Sequence, residues 1–124
     1  MIPPLAFNVA NVAIVAAILY GVAVHAHRIR HARIMITCFV ADLLVVLLIE
    51  LQRSAIDQAV HSTSGLMRFH VAVSVAALIL WVPQIITGRA ILRGKPRLRR
   101  HRIQAWIFLL CRGTNLVTAF MVSP

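Results

Sequence analysis

Six histidines, three carboxylates and an arginine set inside an apolar run are the groups of this chain that could do chemistry. His31, Met35, Cys38, Asp42, Val46, Glu50, Arg53 and Asp57 recur every three or four residues, so they share one face of a helix. Around them stand Ile36, Phe39, Val40, Leu43, Leu44, Val45, Leu47, Leu48 and Leu51, which want lipid or other helices. A carboxylate in mid-hydrocarbon costs roughly 2.5–3.5 kcal/mol on insertion scales, so Asp42 must turn inward and find a partner. The histidines form two layers. His25, His27, His31 and His101 sit beside basic segments; His61 and His70, with Glu50, sit at the opposite end. Imidazole ligates haem iron, copper and zinc, and two facing helices that each offer a histidine can hold such a group. His31, His70 and His101 each open the polar face of a helix and are the foremost candidates. His25 is a further haem-side candidate, and Glu50, His61 and His70 form a candidate metal trio. The plainer reading is that histidines at helix ends meet headgroups and water. No ExxH or CxxC spacing is present.

The elements that position these groups follow from composition. The chain has 124 residues, 60% hydrophobic and 13% charged, above the usual apolar share of soluble domains, with a net charge of +10. Ten of its thirteen Lys and Arg fall in two short segments, residues 28–33 and 89–102, each flanking apolar runs. That distribution follows the positive-inside pattern and argues against nucleic acid as a partner. Four membrane helices are expected, over about residues 5–27, 31–58, 67–92 and 101–122. The start Met1-Ile2-Pro3-Pro4 has no positive n-region, so the first run reads as a retained helix rather than a signal peptide. Small residues Ala6, Ala10, Ala13, Ala17 and Gly21 stripe it, which permits close helix approach. His61–Gly65 is expected as the outer loop and Gly94-Lys95-Pro96 as the second basic turn. Pro83 removes a backbone donor beside Gln84 and is expected to bend the third helix. Cys38 and Cys111 lie in apolar runs and read as buried free thiols.

The predicted fold is therefore all-α: one domain spanning residues 1–124, an integral membrane antiparallel four-helix bundle in sequential order round the ring. Both basic turns would face the cytoplasm of a bacterial inner membrane and both termini would face out. At a rise of about 1.5 Å per residue, Asp42 and Arg112 each lie about eleven residues from the basic edge and Gln84 about eight. An intramembrane cluster of Asp42, Gln84 and Arg112 is expected, with Asn115 on the same polar face as Arg112. Two roles stay open for it: a neutralised pair that holds register, or a proton or ligand path.

His31-Ala-Arg-Ile-Met35, Phe69-His70 and Arg100-His101-Arg102-Ile103, each opening a helix, resemble the domain of unknown function 420 family, small bacterial four-helix membrane proteins. Val117-Thr118-Ala119 stands where that family has a Thr-Gly pattern, and Leu48–Arg53 lacks the family's Tyr and His, so a shared outer site would need Glu50 as a substitute. The resemblance implies a setting beside the assembly of haem-copper oxidases.

Three functions compete. The first is a haem- or metal-binding assembly protein of a respiratory terminal oxidase, with haem b or copper as its cofactor. The second is an accessory subunit of a larger membrane complex, without its own cofactor. The third is a transporter or channel subunit, which four short helices would serve only as a homo-oligomer. An enzyme is the least supported class, because no nucleophile–base pair or phosphate loop is present.

Overall fold

In the computed structural model the described residues are 3–61 and 64–122, apart from the side chains of Pro4, Arg53, Ala55, Ile56 and Ala59. Ser62 and Thr63, the middle of the expected outer loop, lie outside them. Every regular element among them is a helix: α1 (Pro4–Ala23), α2 (Arg28–Arg53), α3 (Ala55–His61), α4 (Gly65–Leu92) and α5 (Leu98–Val122). The four longer ones are each long and apolar enough to cross a membrane.

Four helix ends differ from expectation by three residues or more. α1 stops at Ala23 rather than residue 27, and Val24–His27 form the turn. α2 and α5 begin three residues earlier than expected, at Arg28 and Leu98. Their arginines are good helix formers, so the helices extend past the apolar run into a solvated basic end. α2 does not run to residue 58. Ser54 takes the left-handed conformation (φ 48°, ψ 55°) while its N–H still reaches the Glu50 carbonyl at 2.9 Å. The left-handed turn ends α2 and sends α3 off as a separate short helix. At the far side of the gap, the Ser64 hydroxyl caps α4 by accepting from Met67 N–H at 3.2 Å.

The α4–α5 turn is built by Gly94. Its φ of +83° suits only glycine, and the N–H groups of Gly94 and Lys95 return to the carbonyls of Ile91 and Ala90. That paired closure is a Schellman motif. Short connections then make neighbouring helices antiparallel. α1 packs on α2 and α5, and α4 packs on the same two, so the long helices follow one another in order round a ring. α2 and α5 therefore lie across a diagonal, as do α1 and α4, with no close backbone approach between either pair among the described residues.

The centre is aromatic. Trp81 and Phe108 are each 1% exposed, with ring centroids 4.5 Å apart, and Phe39 tilts against Trp81 at 5.6 Å. Ile14, Ile18, Cys38 and Ala77 complete this core. Large apolar side chains such as Leu44, Ile79, Ile86 and Leu110 point outward, where hydrocarbon would cover them. At the basic end α1 closes tightly on α2. A Cβ on Gly21 would stand 2.8 Å from Met35 Sδ and 2.9 Å from Ile34 Cγ2.

Candidate metal site and the buried polar layers

The inward polar groups fall into three layers along the bundle. In the middle layer Asp42 on α2 meets Arg112 on α5. Arg112 Nη2 donates to Asp42 Oδ1 at 2.9 Å and Nε donates to Oδ2 at 3.2 Å, a forked pair across the diagonal. Trp81 Nε1 donates to Asp42 Oδ2 at 3.1 Å, so α4 joins the same carboxylate. Asp42 is 6% and Arg112 4% exposed, which makes this pair one whose halves cannot be separated cheaply. Nη1 of Arg112 is buried without a protein acceptor among the described residues.

Gln84 does not join them. α4 presents Trp81 at the depth of Asp42, and Gln84 lies three residues, about 4.5 Å, nearer the basic end. There its amide donates to the His101 carbonyl at 3.2 Å, lies equally close to the His101 ring, and accepts from Ala105 N–H at 3.0 Å. Asn115 is likewise displaced, toward the opposite end. Its Oδ1 accepts from the Ser74 hydroxyl at 2.7 Å, beside a His70 Nδ1–Thr118 Oγ1 pair also at 2.7 Å. These four residues make up the layer of the α4–α5 seam at the end away from the basic turns.

The basic-end layer gathers two of the candidate histidines. His31 Nδ1 donates to the Gly21 carbonyl at 2.7 Å, which leaves Nε2 as the ring nitrogen for a further partner. His101 Nδ1 pairs with Thr87 Oγ1 at 2.7 Å. Thr87 is itself held by the Pro83 carbonyl at 2.9 Å and by Gln104 Oε1 at 2.9 Å. The two rings come from diagonal helices and meet edge to face, with centroids 6.3 Å apart and planes at 86°. Gly88 leaves room for the His101 ring, since a Cβ there would stand 3.4 Å from Cε1.

The remaining candidates are apart. His25 is exposed and its Nδ1 donates to the Val22 carbonyl at 2.9 Å. His61, on α3, is exposed and lies 3.3 Å from Asp57 across one helical turn. Glu50 is half-buried on α2 and His70 sits in the α4–α5 seam. Among the described residues no three His, Cys, Asp or Glu gather round one point, so Glu50, His61 and His70 are not brought together. Helical spacing would have pointed to two of the residues that support the basic-end layer: Thr87 lies three after Gln84, and Gln104 three after His101. The Gly21 carbonyl leaves no mark in the sequence, because any residue carries one.

No family model, curated protein or solved structure matches the chain.

The donor set can be weighed against the haem or copper that the histidines suggest. Two imidazoles, each fixed through Nδ1 by a neighbouring helix, have the support that metal-bound histidines ordinarily receive. Neutral imidazole nitrogens are donors that copper and zinc both accept. A haem within the bundle does not suit the packing, because Trp81, Phe108 and the Asp42–Arg112 pair fill its centre.

Proposed function

We propose that this chain is a multi-pass protein of the bacterial inner membrane that binds copper at its basic end and serves the assembly of a respiratory terminal oxidase. The observation that carries this reading is the meeting of His31 and His101, each with Nδ1 engaged and the rings 6.3 Å apart. Two protein ligands leave coordination positions open, as suits an ion that is passed on rather than kept. The family resemblance supports the oxidase setting. The concentration of Lys and Arg in residues 28–33 and 89–102 supports a cytoplasmic basic end with both termini outside.

Titration of the purified, reduced protein with copper(I) against a chromophoric chelator tests this. The expected result is about one ion per chain, lost in His31→Ala and in His101→Ala and kept in His25→Ala and His61→Ala. Copper retained by both of the first two variants contradicts the assignment. A Soret band that appears with haemin and disappears in His70→Ala would assign the cofactor to haem b instead.

One observation favours the accessory-subunit reading. Ala6 and Ala13 face outward from α1, whereas Ala17 and Gly21 pack inward. The outward pair leaves a low ridge on which a helix of a larger complex could lie. Recovery of the chain only together with large membrane partners would support that reading.

A further inference from the structure

The α4–α5 turn carries a basic surface that the metal reading does not use. Pro96, Arg97, Arg99, Arg100, Ile103 and Gln104 line a hollow of about 390 Å³ where α5 begins. No acidic residue follows Asp57 in the chain. Asp42 is held by Arg112, and Glu50 and Asp57 lie toward the opposite end, so among the described residues no side-chain carboxylate faces these guanidinium groups. Guanidinium forks match phosphate oxygens in pairs. Below the hollow, α5 turns Ile103, Trp106 and Leu110 outward, 52%, 69% and 70% exposed. From Arg100 to Leu110 the helix rises roughly 15 Å, about half of a hydrocarbon core of ~30 Å, which is the depth of one leaflet. A charged cup above an apolar strip one acyl chain long fits a phospholipid better than a free anion or a nucleic acid. We propose that Arg97, Arg99 and Arg100 bind the phosphate of an anionic phospholipid whose chains lie along Ile103, Trp106 and Leu110.

The other basic turn is an internal control, since the hollow there is lined by Arg33 with Ala32, Ile36 and Thr37 and holds a single guanidinium. Native mass spectrometry of the detergent-purified full chain, titrated with phosphatidylglycerol or phosphatidylcholine, reads the site. The expected result is retention of phosphatidylglycerol over phosphatidylcholine. Its affinity should fall about tenfold in the Arg97/Arg99/Arg100→Gln triple variant and less than about twofold in the Arg28/Arg30/Arg33→Gln variant. Because all six arginines are solvent-facing, unchanged helicity by circular dichroism is expected in both. An Arg99/Arg100→Lys variant, which keeps the charge but not the fork, should fall between wild type and the Gln triple. Equal losses in the two triples, equal retention of the two lipids, or displacement of the lipid by millimolar inorganic phosphate would each overturn the proposal.

Discussion

At the scale of single residues, the Asp42–Arg112 pair shows how a costly group becomes a specific one. Two charges were taken out of water and then held by three donors converging on one carboxylate. Asp42→Ala should destabilise the bundle by about 3–5 kcal/mol, because Arg112 would be left buried and unpaired. Reversible unfolding in mixed detergent measures it. The double variant Asp42→Leu with Arg112→Met should recover most of that loss, since removing both charges also removes their desolvation. Trp81→Phe should cost about 1 kcal/mol by deleting one donor while keeping the aromatic packing. The meeting of Asp42 with Arg112 could be foreseen from the sequence, because two isolated charges at equal depth have few other options. The partner of Gln84 could not. An amide is satisfied by many neighbours, and an offset of three residues on an antiparallel helix decides between Arg112 and His101.

At the scale of the elements, the four apolar runs that become the long helices were plain in the sequence. The ends were harder to read. Arginine-rich starts prolong α2 and α5 beyond their apolar runs, and the break after Arg53 lacks the glycine that usually announces a left-handed cap. Gly94 did announce itself, in a Gly-Lys-Pro turn. Gly94→Ala should cost about 1 kcal/mol through its positive φ, again measurable by unfolding in detergent. Gly21→Ala acts differently, by forcing α1 away from Ile34 and Met35. A loss of about 1–3 kcal/mol is expected. It should come with weaker copper binding, because the Gly21 carbonyl orients His31.

Across the whole molecule, polar links run between helices whose backbones do not touch. α2 and α5 sit on a diagonal, yet Asp42–Arg112 joins them in the middle and the His31 and His101 rings meet edge to face at the basic end. Neutral packing would let either helix slide by a turn, whereas a forked ion pair fixes their register and thereby sets the two imidazoles opposite each other. The proposed orientation, with the basic turns in the cytoplasm, predicts that a Lys95→Cys variant reacts with a membrane-impermeant maleimide only after the cells are opened. Labelling of intact spheroplasts would reverse the orientation. The most direct measurement for the account as a whole is X-ray absorption at the copper edge of the loaded protein. Scattering from two imidazole nitrogens at about 2.0 Å in the wild type, with no bound copper left in His31→Ala or in His101→Ala, is the expected result. A sulfur shell at about 2.3 Å, placing the ion on Cys38 or Cys111, would contradict it.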